Sequence, residues 1–299
     1  MNTTLAARLP GTSMSPLIVA CLAATWLVWG STYLAIKFAL ESFPPFFQMG
    51  TRFLAAGALL LAWMKLACGA AMPTRRQWMH ALVVGTLMLG GGMGGTAYAE
   101  QTVGSGLVVA FIAVVPLMIA LVNLAFGVVP RPLEGAGIGV GLVGVLLLTQ
   151  GAGFQASPAG LAAISIACVT WSVGSVLSQR KLPLAPGAVG FGSEMLCGGA
   201  VLMVLSLFTG EVPRAPTAQA LAAWLYLVIF GSLIAFNAYM VLLARASAGL
   251  ASSYTFVNPV IAMLLGVAIA GETVTPFEWG AVAVVLAGVV LLVWRNARP

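Results

Sequence analysis

Side chains able to carry out reactive chemistry are scarce in this sequence. A single histidine, His80, stands beside Arg75 and Arg76, and only 7 acidic residues are spread over 299 positions. No acid–base pair, nucleophile motif, metal-ligand cluster or cofactor signature is legible. Cys21, Cys68, Cys168 and Cys197 are too far apart for a zinc pattern and read as small apolar packing residues. The stretch Gly90-Gly91-Gly92-Met93-Gly94-Gly95 lacks the following Lys-Ser/Thr of a phosphate loop. It allows close approach of another helix or a flexible segment. What the sequence offers instead is aromatic surface with polar tips, which is binding chemistry.

Trp26, Trp29 and Trp171 fall about 13–20 Å into long apolar runs at 1.5 Å per residue. An indole N–H at that depth needs a partner in protein or in cavity water. Two readings stand: an aromatic-lined pocket, or buried packing with each N–H on a neighbouring carbonyl. Tyr33 follows Trp29 by four residues and Lys37 follows Tyr33 by four, so the three share one helical face. Lys37 either attracts a carboxylate or, the favoured reading, snorkels to headgroups. Tyr98, Asn237, Tyr239, Tyr254 and Asn258 add polar tips for substrate contact or for local hydrogen bonds. Glu41 and Arg52 read as an ion pair near one surface. Glu194 is the carboxylate set deepest in an apolar run, a candidate for proton coupling or for pairing with Arg180 or Lys181. Pro116 and Pro259, each inside an apolar run, remove a helix hydrogen bond and mark either a gating hinge or a static bend.

The elements that must hold these residues are membrane helices. Of the 299 residues, 61% are hydrophobic and 7% charged, and mean hydropathy is +1.06. A soluble domain carries about 25% charged residues, so water cannot be the only solvent. Apolar runs predict ten spans at 16–39, 46–68, 78–97, 103–124, 134–151, 158–179, 187–209, 220–243, 249–270 and 275–294. Ile18-Val19-Ala20-Cys21 resembles a lipoprotein cleavage box, but the apolar run continues to Leu34, as a first span would. With the N-terminus inside, Arg8, Lys65, Arg75, Arg76, Arg131, Arg180, Lys181, Arg245, Arg295 and Arg298 all lie inside, and Arg214 alone sits in an outer loop. The net charge of +6 is thus topological; no basic stripe suggests nucleic acid. Trp63, Trp78, Trp224, Trp279 and Trp294 fall near span ends, where indoles favour the headgroup boundary.

The chain also repeats itself. Gly106-Leu107 with Val115-Pro116 returns as Gly249-Leu250 with Asn258-Pro259; Leu133-Glu134 with Gly144 returns as Phe277-Glu278 with Gly288. Gly30-Ser31 with Lys37 returns as Gly174-Ser175 with Lys181, the offset being 143 or 144 residues throughout. Five spans per copy is odd, so the second copy enters the membrane upside down. The expected organisation is a cytoplasmic tail 1–15, a five-helix repeat 16–151, an inverted repeat 158–294 and a tail 295–299.

These paired copies, with Gly271-Glu272 and Trp279-Gly280 through Ala287-Gly288 near the end, resemble the drug/metabolite transporter superfamily with paired EamA-type domains. The resemblance covers nearly the whole chain. It implies an all-α polytopic membrane protein of ten transmembrane helices, an inverted repeat of two five-helix halves around a central cavity. It further implies a carrier in a bacterial inner membrane, both termini cytoplasmic, that exports small metabolites by alternating access. Amino acids, aromatic or otherwise hydrophobic, are the expected substrates; drugs or other small metabolites are the alternative. A membrane-embedded enzyme acting on lipid-borne substrates would need a His/Asp/Glu cluster, which is lacking. A scaffold would have no use for duplicated prolines and midplane aromatics. Substrate and bilayer are the expected partners, and a monomer is compatible with the sequence.

Overall fold

Helix starts are written locally. Pro16, Pro45 and Pro158 occupy first-turn positions, where the missing N–H costs nothing. Thr74 and Gln77 form a reciprocal capping box, while Ser157 and Thr217 accept the N–H groups of Gly160 and Ala220. The computed structural model describes residues 15–103, 108, 111–148, 150, 157–270 and 275–296. Most of both tails, Gly106-Leu107 and Gly271-Glu272 lie outside the described residues.

In chain order the helices are α1 (Pro16–Ala39), α2 (Pro45–Leu66), α3 (Arg75–Ala99), α4 (Val115–Leu124), α5 (Pro132–Leu148), α6 (Pro158–Arg180), α7 (Ala188–Phe208), α8 (Ala218–Arg245), α9 (Tyr254–Ala270) and α10 (Pro276–Asn296). Among the described residues, α1, α2, α3, α6, α7 and α8 are long and apolar enough to cross a membrane. No strand appears among those residues. Two helices change winding part-way. Thr86–Gly94 of α3 and Leu227–Phe236 of α8 are π-helical, a wider coil that favours functional sites.

The sequence-predicted fourth and ninth spans are interrupted. Residues 113–114 form a turn, and α4 begins afresh at Val115. Pro116 therefore sits in the first turn of a new helix; it does not kink a continuous one. In the other half the turn falls at Ser252 and Ser253, after the short helix Ala248–Ala251, and Pro259 lies within α9.

Packing joins the two halves of the chain throughout. The most extensive interfaces are α2 with α7 and α5 with α10; α3 and α4 pack on α6, and α1 packs on α8 and α9. α2 also meets α8, and α3 meets α7. Glycine makes the closest crossings. A Cβ at Gly57 would stand 2.8 Å from the Gly192 carbonyl and 2.9 Å from the Leu196 nitrogen. The outer surface is apolar: Leu27, Leu59, Trp63, Leu207, Phe208 and Val290 are each more than half exposed. Patches of that kind are stable against lipid and not against water.

Gly57→Val should therefore separate α2 from α7. Overpacking against backbone costs about 1–3 kcal/mol or more, read as a lower Tm of the detergent-purified protein. Gly139→Ala, where an added methyl meets nothing within 4 Å, should leave Tm unchanged or raise it slightly.

Candidate functional site

Five parts of the chain line a central cavity of about 60 Å³. Its wall is built from Trp29, Thr32, Tyr33 and Ile36 of α1, and Gly92, Met93 and Thr96 of α3. Ile112 and Val115 flank the break before α4, Ala167, Cys168 and Trp171 come from α6, and Tyr254 and Asn258 from α9. On each of α1, α6 and α9 these positions recur at three- or four-residue spacing, so single helical faces supply them.

The wall is an interlocked aromatic cluster. The Trp29 ring lies 5.8 Å from that of Trp171 and 4.7 Å from that of Tyr254, both edge-on at 75°. Tyr239 stands behind, 5.3 Å from Trp171 and 5.2 Å from Trp29. Both indole N–H groups are satisfied within the protein. Trp29 donates to the Gly231 carbonyl, in the π segment of α8, at 3.1 Å. Trp171 donates to the Tyr239 hydroxyl at 3.1 Å, and Ser175 Oγ shares that hydroxyl at 3.0 Å. The tryptophans thus offer ring faces and edges to the cavity and keep their N–H groups for structure. Gly92 makes room for this: a Cβ there would meet Trp171 Cε3 at 2.9 Å.

Of the aromatic and amide residues expected from the sequence, Trp29, Tyr33, Trp171, Tyr254 and Asn258 line the cavity. Tyr239 supports the wall from outside it. Three residues lie elsewhere. Trp26 donates to Ser253 Oγ at 3.0 Å, Tyr98 stacks on Phe46 at 5.8 Å, and Asn237 turns its amide onto the Leu233 carbonyl of its own helix at 2.8 Å. Thr32, Met93, Thr96 and Cys168 were not anticipated; their spacing from Trp29, Gly92 and Trp171 was the available signal. Trp224, expected at the headgroup boundary, donates to Thr51 Oγ1 at 3.1 Å.

Asn258 is 1% exposed, and neither its amide nitrogen nor its amide oxygen meets a partner at hydrogen-bond geometry. The Tyr33 hydroxyl is the polar group that faces it. A buried, unsatisfied amide on a cavity wall is ready to bond a solute.

The charged candidates are rearranged. Glu194 is fully buried with both carboxylate oxygens unbonded, whereas Arg180 and Lys181, its expected partners, are exposed. The Glu194 charge is near enough to act on Tyr239 and on Cys197. Lys37 is exposed in the last turn of α1, as snorkelling requires. Arg52 does not pair with Glu41; its Nε donates to Ser232 Oγ at 2.7 Å, inside the protein.

A second cavity, about 260 Å³, is lined by Pro116, Asn123, Arg131, Glu134, Arg180 and Gly249, among others. The Glu134 carboxylate accepts the Gly249 N–H at 2.9 Å there. Val115 faces the central cavity and Pro116 the second one, so the first turn of α4 separates the two spaces.

Tyr239→Phe should leave the Trp171 N–H buried and unpaired, a cost of about 1–3 kcal/mol visible as a lower Tm. Trp171→Phe in that background should recover most of it, because donor and acceptor then go together. A double variant as unstable as the sum of the two singles would show that this bond does not hold the wall.

The EamA-like transporter family model matches residues 14–150 and again 158–294. The chain is 42% identical over 271 residues to the inner membrane transporter YedA of Escherichia coli K12, described as uncharacterized, covering 90% of this chain and 88% of that one. It is 29% identical over 244 residues to Protein PecM of Dickeya dadantii, covering 80% of each. A crystal structure of a protein 24% identical in sequence aligns with a TM-score of 0.77 over 95% of this chain and 98% of its own, a likeness of fold.

Proposed function

Because this chain belongs to the EamA-like transporter family, we propose that it exports small, largely apolar metabolites, amino acids foremost, through the aromatic cavity. The observation that carries this is the cavity's composition: tryptophan and tyrosine faces around one buried amide, Asn258, which faces the Tyr33 hydroxyl and meets no partner at full hydrogen-bond geometry. Apolar lining with few convergent polar groups is the usual make-up of a small-molecule site. Its size supports a cycle of opening and closing. About 60 Å³ holds roughly two waters, whereas benzene occupies a cavity of about 150 Å³. In this reading the wall parts to admit a solute and closes around it.

In this reading the cavity lies between two inverted five-helix halves, all ten helices crossing the membrane. The packing supports it. Exchanging each helix for the one five places along turns α1–α8 into α3–α6, α1–α9 into α4–α6 and α2–α8 into α3–α7; α2–α7 and α5–α10 map onto themselves. The π segments of α3 and α8 exchange as well. The basic residues crowd the loops assigned to the cytoplasm, which supports both termini inside. A bacterial inner membrane is the proposed location, supported by the YedA relative. The turns before α4 and α9 are the proposed gates, with Pro116 at the wall between the two cavities. Glu194, an intramembrane carboxylate without a partner, is the proposed proton-coupling group.

Purified protein in liposomes preloaded with leucine or phenylalanine should exchange external labelled amino acid, without converting it. Trp171→Ala should raise the half-saturating concentration several-fold, since an aromatic contact is worth about 0.5–1.5 kcal/mol beyond area burial. Unchanged affinity in an inserted variant would make Trp171 a packing residue. An imposed pH gradient should drive accumulation by wild type, and Glu194→Gln should abolish that drive while exchange continues. Wild-type accumulation indifferent to the gradient would remove Glu194 from the mechanism.

A further inference from the structure

Two opposite charges stand near the wall of the central cavity without meeting. Arg52 is fully buried in the interior. Its Nε is held by Ser232 at 2.7 Å, its Nη1 lies 3.6 Å from the Met49 sulfur, and its charge sits 5.0 Å from the Phe53 ring centre. Among the described residues no carboxylate is within ion-pair contact of it. Glu100, immediately after α3, has both carboxylate oxygens buried and bonded to nothing. Glu100 feels the charge of Arg52 first and that of Lys37, at the end of α1, second, and it acts on Tyr33 in the same way. Each stands behind the lining: Glu100 follows Thr96 of the wall by one helical turn. Tyr33 lines the cavity, and the guanidinium shares its position beside Gly231 with the methyl group of Thr32, which also lines it.

A buried ion pair kept for stability closes to contact, because each unpaired charge costs several kcal/mol of desolvation. Here the guanidinium is clamped to Ser232 and the carboxylate stays apart from it. A molecule with one charge of each sign on neighbouring atoms would satisfy both groups at once.

Resting on the proposed transport site, we propose that Arg52 and Glu100 form a clamp for the zwitterionic head of an α-amino acid. Arg52 receives the carboxylate through its planar fork of N–H donors. Glu100 accepts from the ammonium. The side chain then lies on the aromatic wall.

The test compares phenylalanine, N-acetylphenylalanine and phenylalaninamide in two assays, thermal stabilisation of the purified protein and exchange in liposomes. Wild type should favour phenylalanine over each derivative by about tenfold or more, the scale of one lost charge-assisted contact. Glu100→Gln should narrow the gap to the N-acetyl compound alone, and Arg52→Gln the gap to the amide alone. Wild type that takes all three equally well overturns the clamp and leaves the transport site standing, without need of any variant. Folded variants that lose all three in parallel also overturn it. If wild type neither binds nor moves any of the three, while it does exchange other small solutes, the amino-acid reading falls and the clamp with it.

Discussion

A lipid interior offers no hydrogen-bond partner, and that constraint decides how the centre of this protein is built. An indole placed at mid-helix must find its acceptor within the protein. Trp171 reaches the Tyr239 hydroxyl and Trp29 the Gly231 carbonyl. Each bond ties a helix, α6 or α1, to α8, so satisfying the N–H groups also fixes the rings. Once those atoms are used, what remains facing the cavity is π surface, with Asn258 as the polar group left unsatisfied. The site's chemistry follows from which groups the fold has already consumed.

The same solvent sets how the helices meet. Hydrophobic burial does not distinguish lipid from protein, so association relies on close backbone approach and shape. Gly57 against Gly192 brings α2 and α7 together, and Gly144 and Gly288 do the same for α5 and α10. These two interfaces are the most extensive in the structure. The π segments in α3 and α8 and the turns before α4 and α9 lie next to the cavity instead. Irregular winding near the solute site and regular, glycine-sealed packing away from it is an arrangement suited to moving parts on a fixed frame.

Much of this was legible in the sequence, for reasons that are local. Prolines and hydroxyl caps mark helix starts, and four-residue spacing puts Trp29 and Tyr33, or Tyr254 and Asn258, on one face. What was not legible depends on angles and distant partners. At about 100° per residue, Trp26 and Lys37 lie roughly 60–80° from Trp29 around α1, on the edge of the cavity face. One therefore turns to Ser253 and the other outward. Tyr239 looked like a cavity residue, but its hydroxyl serves Trp171, 68 positions earlier, a pairing no local pattern encodes. Arg52 was matched with Glu41 because both fall near one surface in sequence. Its inward turn depends on Ser232, 180 positions away. Glu100, at the end of an apolar run, gave no sign of its burial. Pro116 reads as a kink only if the helix before it is continuous, and the turn at 113–114 that breaks it has no distinctive residues.

If the solute occupies the aromatic cavity, a native probe of its presence lies on the wall. Cys168 lines the cavity, is 2% exposed, and has its Sγ 3.3 Å from the Phe111 carbonyl oxygen. The direct measurement is the rate at which a small maleimide alkylates Cys168 in protein whose other three cysteines are replaced by alanine, with and without a saturating transported solute. The account predicts slow labelling that the solute suppresses, because solute and reagent compete for the same opened space. Alkylation at the same rate with the solute bound would place the solute elsewhere and contradict it.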